Sequence, residues 1–449
     1  MFILGLLLTI ASIFVVGYLS NKKTNDSYSF YKGAVSVQVS GALIGTLVGG
    51  SSTIGTAQLA YNYGFSAWWF TLGGGLGVLL LLIFYYPLKK KNVSTLADVI
   101  AIEYGNKASV ILALLNSVGT FLSFVAQIIS GSALIMSVTS LNFSSSVIIV
   151  SLLIILYVIF GGQKALGNAG LAKTIILSIS ILVCGIFVIT SLGGFNAYLH
   201  SDLLEHNKYF NLFARGVFTD LGAGISLLIG VVTTQSYISA ILSAKSDKTA
   251  IGGTILTAII VPLIGVAGIF VGLYMKQMHP YIDPKIALPT FILENMPPFI
   301  SGIMIASLLI AVVGTGSGLV FGMSSMLYKN VFKSYFINKN NTIIIRTILI
   351  IIVVVGSILC LANLSDLILG WSFMSMGLRG AVAFIPMLFA LFLPGKIRNS
   401  FAIASMIFGV LFTLIGKIVL PSYIDPMFLG LGSSMLVALI GIIANKKYR

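Results

Sequence analysis

The sequence predicts an all-α membrane protein of about 13 transmembrane helices, at least one of them discontinuous, and three observations carry that reading. Hydrophobic residues make up 58% of the chain and charged residues 8%, with a mean hydropathy of +1.07, which excludes an ordinary soluble domain. The apolar residues gather into about 13 segments of roughly 19 residues or more, each long enough to cross a bilayer at ~1.5 Å per residue. One of these segments, 34–60, contains Gly41-Ala-Leu-Ile-Gly-Thr-Leu-Val-Gly-Gly-Ser-Ser-Thr-Ile-Gly55. Its middle, Val48–Thr53, pairs two glycines with three hydroxyl residues and favours an interruption. Unwound backbone survives in lipid only where it is buried or lines a cavity. The break therefore reads as a place where carbonyls meet a cation and N–H groups an anion. Close helix packing through Gly41, Gly45 and Gly49 is the competing explanation.

Taken in order, segment 1–20 has no basic stretch ahead of its apolar core and no small-residue cleavage site, so it is expected to be a retained span. A short polar loop, 21–33, leads to the broken segment. Segment 64–87 opens on Trp68 and Trp69, expected to sit at the membrane interface. Pro87–Gly105 reads as a basic boundary followed by a short helix that Ser94 or Thr95 caps, with Asp98 in its first turn. Segments 109–138, 144–163, 171–193, 216–244 and 250–276 follow. Ser123, Gln127, Gln235 and Tyr237 are polar groups expected to face an internal cavity. Loop 277–297 carries His279-Pro-Tyr-Ile-Asp-Pro-Lys-Ile-Ala-Leu-Pro289 and is expected to fold as an external lid. Within 298–331, Ala311-Val-Val-Gly-Thr-Gly-Ser-Gly318 is expected to be a second interruption, serving either packing or cation ligation. Segments 342–362, 365–392, 398–417 and 425–445 complete the chain.

The net charge of +15 is distributed as in a membrane protein rather than a nucleic-acid binder. With the N-terminus outside, the inner connections hold 20 of the 26 basic residues, which is the positive-inside bias and gives an N-out, C-in topology. Cys184 and Cys360 lie in apolar segments and suggest no disulfide. His200, His206 and His279 fall in outer loops without metal-ligand spacing, and no HExxH is present, so an enzyme is not expected. Arg379 lies near the middle of segment 365–392, where a guanidinium must be paired or hydrated. It either holds backbone carbonyls of a broken helix or faces an inner vestibule, or, as the resemblance given below implies, it binds a substrate carboxylate.

The chain resembles the sodium:solute symporter family, the group of proline, sodium–glucose and sialic-acid transporters. The resemblance rests on Gly49-Gly-Ser-Ser-Thr-Ile-Gly55, Thr95-Leu-Ala-Asp98, Glu103-Tyr-Gly105, Gly161-Gly162, Thr234-Gln-Ser-Tyr237, Ser243-Ala-Lys-Ser246, the lid and Pro297-Pro298. It implies a LeuT-type fold of two inverted five-helix repeats, 34–193 and 216–392, flanked by an extra helix at 1–20 and two more within 398–445. The function implied is secondary active transport, sodium-coupled symport of a small polar solute by alternating access, with an amino acid or small carboxylate favoured. A multi-pass protein of the plasma (inner) membrane follows, whose partners are the solute and the bilayer, with no nucleic acid and no obligate protein partner evident.

By the same resemblance, sodium would be held by the carbonyls of Gly45, Val48 and Ala311 and the hydroxyl of Thr315. Substrate would meet Gly49, Gly50, Ser51, Ser52, Thr53, Gln127, Gln235 and Arg379. The sequence departs from the family at three positions: Gly314 stands for a serine, Gly170 for an acidic residue, and Lys173 for a glutamine. Lys173 is thus a coupling candidate. Either its side chain reaches to the inner interface, or its ammonium stands where sodium would sit in a proton-coupled or uncoupled carrier. A transporter-like sensor is a further alternative.

Overall fold

The computed structural model describes residues 1–11, 34–91, 93, 95–191, 206–332, 341–362, 367–421 and 423–446. The side chains of 160–172, 206–207, 341–342 and 446 are outside that description, as are the loop 21–33, His200 and Asp366.

Helices account for nearly all of the described chain. The helix α1 spans Phe2–Ala11 and α2 Ser36–Leu47. A π-helical turn, Ser51–Gly55, leads into α3, Thr56–Tyr63. Then come α4, Trp68–Lys90, α5, Leu96–Val138, and α6, Phe143–Ser191. Next are α7, Val217–Val232, α8, Gln235–Leu242, and α9, Asp247–Met278. The lid holds α10, Ala287–Asn295, followed by α11, Pro298–Leu327, and α12, Asn341–Leu361. The last three are α13, Ile368–Phe392, α14, Asn399–Val419, and α15, Met427–Lys446.

Among the described residues, nine helices are long and apolar enough to cross a membrane, or ten if the bent pair α7–α8 is one span. The expected 13 are not reached by length among the described residues, where Phe2–Ala11, Ser36–Leu47 and Phe143–Ile159 are shorter apolar stretches. Burial separates centre from rim: 83% of the most apolar stretch of α13 is buried, against 22% for α12. Ile351, Val354, Val355 and Ile358 of α12 turn outward, the face an apolar solvent would cover. Around α13 pack α5, α7, α14 and the π-helical turn.

Local chemistry explains the helix starts. Thr95 caps α5 as expected: its Oγ1 accepts from Asp98 N at 3.0 Å, and Asp98 Oδ2 accepts from Thr95 N at 3.0 Å. Gly105 has φ 83°, a conformation that favours glycine, and bends α5 where the short starting helix meets the long span. The lid is folded: Tyr61 Oη donates to the carbonyl of His279 at 2.6 Å, and α10 packs on α3, α5, α9 and α11.

One expectation is corrected. The stretch Ala311–Gly318 is not interrupted, since α11 runs helical from Pro298 to Leu327. Two of its glycines serve packing, Gly314 against Lys173 and Gly316 against Ile154 and Gln127. Trp68 and Trp69, expected at the interface, are half-buried and also join helices. Their indoles donate to the carbonyls of Pro262 at 3.0 Å and Leu212 at 2.8 Å, joining α4 to α9 and to the loop before α7.

Candidate solute and cation site

Helix α2 stops where its sequence turns to glycine. Val48 is extended (φ −93°, ψ 102°) and the helix resumes only after Gly49. In an unbroken helix the Gly49 N–H would donate to the Gly45 carbonyl. Here it donates to Ser52 Oγ at 2.9 Å, which releases the Gly45 carbonyl from that donor. The Gly50 N–H donates to Gln127 Oε1 of α5 at 3.0 Å, and Gln127 Nε2 donates to Ser51 Oγ at 3.2 Å. Ser372 Oγ of α13 donates to the same Ser51 oxygen at 2.8 Å. Ser52 and Thr53 turn back on the break, both donating to the Gly49 carbonyl, at 3.2 and 2.7 Å. A break that the sequence makes is thus held by side chains from two other helices.

The fit is tight. A Cβ at Gly50 would stand 2.5 Å from Ser130 Cβ and 2.8 Å from Val312 Cγ2, and one at Gly49 would stand 3.0 Å from Thr315 Oγ1. The break is wedged between α5 and α11, which brings Thr315 beside Gly49. Ala311 lies one turn before Thr315 on α11 and is buried, as is Val48. Beside them is Lys173 of α6, 6% exposed, whose Nζ donates to Thr315 Oγ1 at 3.3 Å. Its side chain does not run to an interface. That alternative is corrected: the ammonium turns inward, into space that Gly314 leaves open. Gly170 falls where only the helical backbone is described.

A second interruption, without glycine at the break, lies at Thr233–Thr234, where α7 and α8 meet at a bend of 52°. Both hydroxyls donate to carbonyls of the preceding turn, Thr233 to Ile229 at 3.0 Å and Thr234 to Gly230 at 2.6 Å. The Gly230 carbonyl thus takes a hydroxyl in place of the Thr234 N–H, which donates instead to the Val231 carbonyl at 3.2 Å where α7 ends. Arg379 of α13 clamps the bend. Its Nη1 donates to Thr234 Oγ1 at 3.0 Å, and its Nη2 to Ser123 Oγ at 3.0 Å and Ser375 Oγ at 2.9 Å. The guanidinium is 2% exposed, and no carboxylate among the described residues lies within ion-pair distance. Gln235 is held elsewhere: its Oε1 accepts from Leu96 N at 2.8 Å at the start of α5, and its Nε2 donates to Ser239 Oγ at 2.7 Å.

Compared with known proteins, residues 32–409 match the family profile described as the sodium:solute symporter family. The chain belongs to that family. A sodium/proline symporter of Staphylococcus aureus (strain JH9) is 24% identical to this family member over 438 residues, 90% of this chain and 83% of that one. A protein named uncharacterized symporter YwcA, from Bacillus subtilis (strain 168), is 26% identical over 274 residues; the match spans 58% of this chain and 52% of that protein's length. Among solved structures, a Na+-coupled sialic acid symporter in a substrate-bound outward-open state superposes with a TM-score of 0.76 at 17% identity. It covers 99% of this chain and 97% of its own. Inward-facing Mhp1 superposes at 0.60 with 11% identity, over 93% and 92% of the two chains. These likenesses give the sodium:solute symporter its LeuT-type, all-helical transporter fold. The family and its structural relatives are transporters, not enzymes.

Of the residues expected at the symporter's site, the structure gathers Gly49, Gly50, Ser51, Ser52, Thr53 and Gln127 about the first break, with Thr315 and Lys173 beside them. Arg379 and Ser123 belong to the second break, and Gln235 to the start of α5. Ser372 and Ser375 were not expected. They share a face of α13 with Arg379 at helical spacing, a polar stripe legible in segment 365–392.

Proposed function

We propose that this protein imports a small polar solute, an amino acid or a small carboxylate, across the plasma (inner) membrane by alternating access. The observation that carries this reading is the helix break at Gly49–Ser51, buried between α5, α11 and α13 and lined by hydroxyls and an amide rather than by apolar groups. Solute would exchange with Gln127 and Ser372 for the polar atoms of Ser51 and the backbone around it, while Arg379 offers a cationic field from the second break. The two breaks open the proposed repeats 34–193 and 216–392, so rocking one repeat against the other would move both at once. The protein would lie N-out and C-in, with about 13 spans. Reconstituted into liposomes, it should take up labelled amino acids or small carboxylates, and Gln127→Ala should raise the KM by about fivefold or more, the equivalent of one lost hydrogen bond of ~1 kcal/mol. Unchanged uptake in that variant would remove the break from the solute path.

Coupling has two readings. The family's ion is sodium, which the carbonyls of Gly45, Val48 and Ala311 and Thr315 Oγ1 would ligate, oxygens without full charge that suit an ion that must also leave. The second is a carrier that needs no sodium, and the contact of Lys173 Nζ with Thr315 Oγ1 favours it. Uptake driven by sodium against choline separates the two.

A further inference from the structure

Lys173 and Gly314 are two departures from the family pattern, far apart in sequence, that meet in space. A Cβ at Gly314 would stand 3.2 Å from Lys173 Nζ, 3.7 Å from its Cδ and 3.9 Å from its Cε. Any side chain at 314 would press along the end of the lysine. Glycine there leaves the ammonium its room, and a serine at 314 would carry a hydroxyl into the neighbourhood the ammonium now fills. The ammonium is buried with Thr315 Oγ1 at 3.3 Å and has no carboxylate within ion-pair distance among the described residues. A charge so placed is tolerable only when neutral oxygens take the place of water around it. That is the same solvation a sodium ion would need.

We propose that Lys173 and Gly314 together form a tethered-cation site: the lysine ammonium occupies the cation position beside Thr315, and the missing side chain at 314 makes space for it, so that this site takes no sodium. The inference rests on the carrier reading above and on its cation position. Its first consequence is repulsion. Two unit charges about 4 Å apart at an effective dielectric near 20 weaken binding by roughly a thousandfold, so sodium and the ammonium cannot share the position. Its second concerns charge movement. With the cation fixed to α6, a zwitterionic solute passing this site carries no net charge with it, and the membrane potential does not drive that passage.

The test is a sodium titration of the melting temperature of the purified full-length protein, with choline chloride holding ionic strength constant. A ligand that binds only the folded state raises the midpoint as it saturates. The wild-type protein is expected to show no saturable sodium shift, and the double variant Lys173→Gln/Gly314→Ser to gain one, which Thr315→Ala then removes. Lys173→Gln alone, which leaves α11 untouched, is expected to gain a weaker shift and serves if the double variant does not fold. A saturable sodium shift in the wild type that Thr315→Ala abolishes would overturn the proposal. So would the absence of any shift in a folded variant lacking Lys173. Solute counterflow in sodium-free proteoliposomes tests the carrier reading separately: its failure for every solute would sink that reading while leaving the sodium titration intact.

Discussion

A single methyl group at the first break should be decisive. Gly50 has no room for one: its Cβ would lie 2.5 Å from Ser130 Cβ, with Val312 on the other side at 2.8 Å. Gly50→Ala is expected to cost about 1–3 kcal/mol of stability by overpacking and to impair transport. Gly318, six residues beyond Val312 on α11, is the control, because nothing lies within 4 Å of its Cβ position. Gly318→Ala should be neutral or stabilising by up to about 1 kcal/mol through helix propensity. Melting temperatures of the two variants in detergent check the pair, and equal losses would refute the packing argument. Arg379 makes a different demand, since its planar fork reaches Thr234 on one helix and Ser123 on another. Arg379→Gln leaves those hydroxyls short of a charged donor and is expected to destabilise by about 2 kcal/mol. Arg379→Lys should not rescue it, because a point charge cannot span both partners. If the guanidinium also meets a substrate carboxylate, the KM for anionic solutes will rise about fivefold or more in Arg379→Gln. A KM that does not move while stability falls would confine Arg379 to holding the bend.

Glycine content alone did not say where helices break, and the three stretches in question show why. At Gly49–Gly50 the expectation held because paired glycines coincide with acceptors that take over the orphaned N–H groups, the local Ser52 hydroxyl for Gly49 and the Gln127 amide oxygen for Gly50. At Ala311–Gly318 the same composition supports an intact helix, because two of its glycines admit Lys173 and Ile154 rather than free the backbone. At Thr233–Thr234 no glycine marks the break, where the Thr234 hydroxyl takes the Gly230 carbonyl in place of the helical N–H. Residue type was legible in all three, but which neighbour each residue faces was not. Lys173 shows the same limit: a lysine one turn into an apolar segment can reach outward or inward, and only the space beside Gly314 decides. The turn between α14 and α15 supplies a prediction of its own. Asp425 there is half-buried, and its partial burial raises its carboxyl above the usual range, against the lowering influence of the Met427 N–H, Arg215 and Lys417. A folded state that holds the proton more tightly than the unfolded one gains stability as pH falls and loses it as pH rises through the raised value. Asp425→Asn keeps an acceptor for Met427 N and removes the charge, so it should melt higher than wild type at neutral pH and converge with it in acid. A wild-type melting point that falls on mild acidification while the variant's does not would show that the carboxylate is stabilised after all.

Contacts across the molecule sort its connections into two ends. At one end, Lys89 pairs with Asp247, and Lys91 with Glu103 at 3.5 Å. Gly395 N there donates to Glu103, and Ala34 exchanges backbone bonds with Ser243 and Lys245. At the other, Tyr61 meets His279, Trp69 meets Leu212, and Arg215 and Ser66 meet Asp220. Lys285 there lies over the Phe143 ring. Among the described residues, none of these pairs crosses the alternation that the positive-inside bias predicts, so the sequence assigned each of these connections to the same side as its structural partner. Contacts fix which connections share a side but not which side is outside, and the basic bias must supply that. It predicts that Tyr281, 98% exposed in the lid, lies outside and Lys248, exposed at the start of α9, inside. Tyr281→Cys should therefore react with a membrane-impermeant maleimide on intact cells, and Lys248→Cys only after permeabilisation. The background is low because Cys184 and Cys360 are both buried. The reverse pattern would turn the molecule over, placing the lid and both connections around it on the cytoplasmic face and making the excess of lysine and arginine an outer feature, contrary to the bias that orients membrane helices.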